Sequence, residues 1–355
     1  MSWDNVTGVN DFKIWTDNPD TTQAYLFANG SHQVKLNARI SFSGSSADLV
    51  GPTEEEVKAA LSLIDYTTGA GLAHLNVVDK GEYTSVYLQD IPMAVKPTPD
   101  VAPDEVSLFF TPTYEFEFYV SSDSTINSNY ASESVALLVS YIDSSGTQKT
   151  FTSASGGKES YVTVTVYPPK KYGVAGSAST PVIIELKDDK LPYTYDYSHR
   201  VDDLTVSAWS LRIDDSYFRI VKFQAASGVQ SNEPFYRHGK NVQSGGIAYD
   251  EDWETKETFL PTENKVNQGH LAYDSTLEII YDDAEKYFFK ITVTVHQEAN
   301  EIIFINFYAV ILPPSDSGFD NKTDTASLSA YDQFGNKFTV EVSNNGSGLQ
   351  INNVT

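Results

Sequence analysis

A chain of 355 residues with 24 Lys+Arg against 48 Asp+Glu, six His and no Cys carries a formal charge of −24. The length allows two domains with cores of their own, and the lack of thiols excludes a disulfide framework and any thiolate zinc site. The negative charge speaks against nucleic acid and anionic lipid as partners, because both repel the molecule as a whole.

The opening residues MSWDNVTGVN contain neither a basic segment nor a long apolar run, so no secretory signal is read there. The expectation is cytoplasmic synthesis with release by lysis or a signal-independent route, or a place in an assembled particle. No transmembrane segment is expected either, since the densest apolar stretch, residues 302–312, is broken by Asn306.

In chain order, Tyr25, Leu26 and Phe27 precede Asn29-Gly30. Beyond them, Val34, Leu36, Ala38, Ile40 and Phe42 alternate with Lys35, Asn37, Arg39 and Ser41. That period marks a strand with one wet face, and Asn-Gly tolerates positive φ at both turn centres, which predicts a hairpin at Asn29. Thr53-Glu54-Glu55-Glu56 is a capping box that opens a helix of at most about three turns, expected to connect across one end of a sandwich. Gly69-Ala70-Gly71-Leu72-Ala73-His74 starts like a dinucleotide loop but ends in His and follows a turn signal, so no nucleotide site is read from it. Pro92, Pro97, Pro99 and Pro103 mark a long crossover between sheets.

Alternation returns at Tyr114, Phe116, Phe118 and Val120, at Val162, Val164 and Val166, and at Ile291, Val293 and Val295. Residues 135–139 are apolar throughout, the pattern of a strand covered on both faces. Asp143-x-x-Gly146 and Asp332-x-x-Gly335-Asn336 read as bulged hairpins, with Asp accepting from turn amides and Gly taking positive φ. The second turn is similar to those of bacterial immunoglobulin-like modules, but its five residues identify no family. Residues 168–181, rich in Pro, Gly and Ser, read as a linker. The expected fold is all-β: two antiparallel β-sandwich domains, immunoglobulin-like or jelly-roll-like, at 1–167 and 182–355, with one short connecting helix.

The chain has no Gly-x-Ser-x-Gly elbow, no His-x-x-x-His pair and no phosphate-loop signature, so it is read as a non-enzyme. The strongest site candidate lies in residues 232–258, expected to form an irregular loop. There Tyr236, Tyr249 and Trp253 offer flat faces, while Arg237, His238 and Asp252 offer hydrogen bonds to a sugar or peptide. The competing reading has Trp253 pinning the loop. Asp316, Asp320 and Asp324 offer oxygen ligands to calcium, although spacing by four does not match an EF-hand. No other cofactor is expected.

The leading functional expectation is a structural, assembly or surface-binding protein, a subunit of a virion, injection apparatus, fibre or bacterial surface structure. Its partners would be other copies or neighbouring subunits, with a glycan or cell surface as the alternative. The second expectation is a cell-surface-binding toxin or lectin, pore-forming through the Ser/Thr-rich residues 119–155. The third is a polysaccharide-active enzyme using the carboxylates of residues 250–254, which do not by themselves supply the separation of about 5 to 10 Å that glycoside hydrolysis needs.

Overall fold

The computed structural model describes residues 2–17, 22–44, 51–87, 113–126, 129–143, 145–155, 159–173, 181–186, 193–197, 201–215, 217–225, 235–239, 243–249, 273–283, 287–297, 302–311, 325–344 and 349–355. They are mostly strand, in several sheets that are antiparallel except at one pair, and they form two compact units, Met1–Pro169 and Lys170–Thr355. Residues 92–103 lie outside the described part.

Unit 1 runs through β1 (Val6–Thr16), β2 (Gln23–Phe27), β3 (Val34–Gly44), α1 (Glu54–Ala60), β4 (Leu61–Asp65), β5 (Asn76–Val78), β6 (Thr113–Ser121), β7 (Ala131–Ile142), β8 (Gln148–Thr152) and β9 (Val162–Tyr167). Sheet I has the order β1-β3-β6-β5, and sheet II the order β2-β9-β7-β4, with β8 pairing the far end of β7. Ile14, Leu36, Ile40 and Phe116 of sheet I share one buried cluster with Leu26, Leu137, Val139 and Val164 of sheet II, so the unit is a sandwich. Its strand order is that of an immunoglobulin-type fold, with the A-B-E-D strands in one sheet and G-F-C in the other. Truncating a fully buried residue such as Leu137 to Ala would cost about 2–5 kcal/mol in lost burial and cavity.

The Asn29-Gly30 turn does not close a hairpin. It is a corner: β2 lies in sheet II and β3 in sheet I. Asn29 Oδ1 accepts from the amides of Ser31 (2.9 Å) and His32 (2.8 Å), Gly30 sits at φ 74°, and its amide donates to Ser122. The flanking strands were free to part because each finds a better edge elsewhere. β2 pairs parallel with β9, the one exception to an otherwise antiparallel set of ladders, while β3 sits between β1 and β6.

α1 forms as its capping box dictates, with Glu56 N donating to Thr53 Oγ1 (3.2 Å) and Thr53 N donating to Glu56 Oε2 (2.8 Å). Val57 anchors it in the core, and the chain passes directly into β4. The β7–β8 hairpin also follows its turn signal, with Asp143 Oδ1 accepting from the amides of Ser145 (3.0 Å) and Thr147 (2.9 Å) and Gly146 at φ 79°. Residues 135–137 and 139 are fully buried, as an all-apolar run requires.

Unit 2 contains β10 (Pro181–Leu186), β11 (Tyr193–Tyr197), β12 (Val201–Ile213), β13 (Ile220–Ala225), β14 (Phe235–Gly239), β15 (Gln243–Tyr249), β16 (Tyr273–Asp283), β17 (Tyr287–Gln297), β18 (Ile302–Ile311), β19 (Thr325–Asp332), β20 (Lys337–Asn344) and β21 (Leu349–Val354). They form sheets of order β10-β12-β18-β15-β14, β11-β17-β16 and β13-β19-β20-β21. β18 is central in its sheet, which accounts for its apolar run.

The expected linker is partly structure. Tyr172 is buried in unit 2, Pro181 already belongs to β10, and Gly173 is required by φ 76° and by Val354, whose Cβ lies 2.3 Å from where a Cβ on residue 173 would stand. Residues 174–180 lie outside the described part.

Candidate functional site

Three buried ionisable groups, His32, Glu133 and Asp332, each hold backbone. His32, fully buried, accepts from the Phe27 amide at Nδ1 (3.1 Å), which places its proton on Nε2, donating to the Ser85 carbonyl (2.9 Å). Burial holds its imidazole down at about 4, so the ring is neutral near pH 7. The next residue works beside it: Gln33 Nε2 donates to the Asp79 carbonyl (2.9 Å) and its Oε1 accepts from Gly81 N (2.7 Å). Together they tether residues 79–85.

Glu133, buried on the inner side of β7, accepts from the amides of Ala73 (2.6 Å) and His74 (2.9 Å). The glycine-rich residues 69–74 thus present their amides to a carboxylate of the same chain, not to a phosphate. In unit 2, Asp332 Oδ2 accepts from Tyr172 Oη (2.5 Å) and Asn336 Nδ2 (2.9 Å), while Oδ1 accepts from the amides of Phe334 (2.8 Å) and Asn336 (2.9 Å). Burial pushes the Asp332 carboxyl up and these four donors oppose that shift, while the same burial and the adjacent carboxylate push the Tyr172 phenol up. The hairpin turn read from the sequence is therefore a buried hub, unusual for a turn. It also receives the Lys170 amide at Asn336 (3.1 Å) and, through Gln333, the Arg219 amide (2.8 Å).

The residues singled out from sequence fall in two groups. Residues 235–239 and 243–249 are strands β14 and β15, which corrects the irregular loop expected there. β14 and β15 pair antiparallel, and β15 also pairs β18, so the long-range partner strand carries a segment whose glycines disfavour a strand locally. Within it Tyr236 stands opposite Gly246, Arg237 opposite Gly245 and His238 opposite Ser244, while Tyr249 stands opposite Phe304. Asp252, Trp253, Asp316, Asp320 and Asp324 lie outside the described residues. Among the described residues, no group of three or more His, Asp or Glu is placed to hold a metal ion.

The two outer faces of the unit 1 sandwich differ sharply. On sheet I the outward rows are charged and paired: Arg39 Nε meets Asp11 Oδ2 at 2.6 Å, and Lys35 Nζ meets Asp17 Oδ2 at 2.7 Å and Glu117 Oε1 at 3.3 Å. Those two carboxylates raise the Lys35 ammonium, against a smaller loss to desolvation.

On sheet II, alternation turns one residue in two of β2, β4, β7, β8 and β9 outward, and none of these is Asp, Glu, Lys or Arg. Its register rows run Gln23–Thr163–Ser134 and Tyr25–Thr165–Ser132, with the hydroxyl pairs Ser134–Thr163 and Ser132–Thr165 each at 3.2 Å. Tyrosines close both ends of this hydroxyl ladder. At one end Tyr167 lies 6.3 Å between ring centroids from both Tyr25 and Tyr130, and Tyr87 packs on the group at 6.4 Å from Tyr25 and 6.0 Å from Tyr167; at the other Tyr66 and Tyr161 lie 4.4 Å apart, with Tyr66 Oη donating to Glu159 Oε2 (2.6 Å). Tyr130 is 56% exposed and Tyr161 39%. Ile64 and Ala136, opposite each other on the outward side, are buried.

Sequence reading missed this face, although its signal was present. The partners of the buried valines at 162, 164 and 166 are Thr163, Thr165 and Tyr167, where residues 34–42 interpose Lys and Arg.

Neither a family model nor a curated protein matches the chain. Among solved structures, extracellular cadherin domains 1–4 of protocadherin gamma B7, in a P21 crystal form, align with 94% of this chain and 76% of that one at 8% identity. The TM-score is 0.18, too low for the likeness to carry an argument.

Proposed function

We propose that this is a non-enzymatic assembly or surface-binding protein, acting through the faces of β modules and not through a reaction centre. The observation that supports the reading is the outer side of sheet II, where none of the described outward strand residues is charged, in a chain where 20% of residues are charged. A strand face that only needed solvation would be dressed as sheet I is, with paired charges. The engagement of His32, Glu133 and Asp332 with backbone points the same way, since each serves to fix loops.

Sedimentation velocity across a wide concentration range, together with binding to intact cells, tests the reading. Self-association or saturable cell binding is the expected result. A monomer at every concentration that binds no cell type would overturn it.

A further inference from the structure

We infer that residues 79–87 form a strap that acid releases, with His32 as its latch and the aromatic group around Phe27 as the surface uncovered.

Apart from one parallel bridge between Tyr83 and His32, the strap has no regular structure, and Val86 within it is 46% exposed. Two consecutive residues fasten it. The Gln33 amide donates to the Tyr83 carbonyl (2.8 Å), the Gln33 side chain grips Asp79 and Gly81, and His32 Nε2 donates to the Ser85 carbonyl. Tyr87, at the far end, packs on Phe27 at 4.7 Å between ring centroids, and also on Tyr25 and Tyr167. Phe27 is buried beneath it, although it lies on the outward side of β2.

The latch works in one protonation state. Nδ1 accepts from the Phe27 amide while Nε2 donates to Ser85, and only the neutral imidazole can do both. A further proton sets an N–H at Nδ1 against the N–H of Phe27 and puts a charge on a fully buried ring. Exposure to water relieves both. Around the ring, β2 is held in its ladder with β9, and β3 lies between β1 and β6, so the irregular strap is the wall that moves at least cost.

Burial is what lowers the titration of this ring, and the Ser85 bond opposes it. The released ring protonates near 6.5 and the latched ring near 4, so acid between those values favours release. Other titratable groups surround the latch. The strap carries Asp79, Lys80, Glu82, Tyr83 and Tyr87, Asp123 stands beside the Gly30 turn, and Tyr25 and Tyr167 flank Phe27. A variant that cannot titrate at position 32 separates their contribution from that of His32.

Hydrogen exchange of the full chain at pH 7 and pH 4.5, corrected for intrinsic rates, tests the inference. Protection of the Gly81 and Gln33 amides should fall about fiftyfold at the lower pH, the factor set by the two titration values. Release of a strap exposes little surface, so low urea at pH 4.5 should scarcely accelerate these amides while it accelerates the core amide of Leu137 steeply. In His32→Gln, whose side-chain amide can still accept from Phe27 and donate to Ser85, the fiftyfold change should shrink to threefold or less. Equal protection and equal urea dependence at Gly81, Gln33 and Leu137 in the native chain would overturn the inference, because opening would then be global. A full pH response retained in His32→Gln would overturn it too, by assigning the latch to another group.

Discussion

At the scale of single residues, burial has turned ionisable groups into fasteners whose protonation is coupled to stability. His32 keeps its neutral form to about pH 4 in the folded chain, while the unfolded chain protonates it near 6.5. Between those values the unfolded state binds more protons, so stability falls as pH falls through that window, by about 3 kcal/mol in all. Urea denaturation at pH 7 and pH 4.5 should show this slope in the native protein and a flatter one in His32→Gln; equal slopes would refute the assignment. Tyr172 offers a second test. Removing its hydroxyl in Tyr172→Phe takes one of four donors from the buried Asp332 carboxylate, with an expected cost of about 1.5–3 kcal/mol at neutral pH. A denaturation midpoint unchanged from the native protein would show that the bond contributes nothing net.

At the scale of elements, isolated polar side chains decide where irregular segments go. Ser153 and Ser160 bridge the break between β8 and β9: Ser153 Oγ accepts from Leu137 N (2.9 Å) and donates to the Ser160 carbonyl (2.7 Å). Ser160 Oγ in turn accepts from Ile14 N (2.9 Å) and donates to the Ile14 carbonyl (3.2 Å), which occupies both polar groups of one residue of the edge strand β1. Glu133 does similar work for residues 69–74. Glu133→Gln leaves one acceptor oxygen for two amides, so hydrogen exchange at Ala73 or His74 should quicken by about tenfold, the equivalent of about 1.4 kcal/mol. Unaltered exchange at both amides would place the restraint elsewhere. The helix and the two Asp-x-x-Gly hairpins were legible because their determinants lie within five residues. The Asn29 corner was not, because the choice between hairpin and corner depends on β9 and β6, more than 80 residues away in the chain.

At the scale of the molecule, unit 1 contains its own two sheets and a core shared between them. Residues 1–169 expressed alone should therefore show β-type circular dichroism and a cooperative melt. A non-cooperative or unfolded fragment would show that unit 1 depends on the rest of the chain. Charge is also unevenly spread over the described strands of unit 1: the outward side of sheet I carries ion pairs, while none of the outward strand residues of sheet II is charged. A binding assay that treats the protein as a uniform polyanion would miss that division.

Sequence alone determined what depends on near neighbours and period: the all-β class, the capped helix, the Asp-Gly turns and the half-buried strands, since alternation and local hydrogen bonding are written in consecutive residues. Tertiary structure decided which strands share a sheet, and with it which outward residues stand side by side. Tyr25, Thr165 and Ser132 are an ordinary outward Tyr, Thr and Ser in three separate strands until pairing sets them in one row. Likewise Asp332 is a turn residue by sequence and becomes a buried hub only when Tyr172, 160 positions earlier, delivers its hydroxyl. Long-range pairing carries no local signature, because its driving force is the burial of a shared face and not the preference of any one segment.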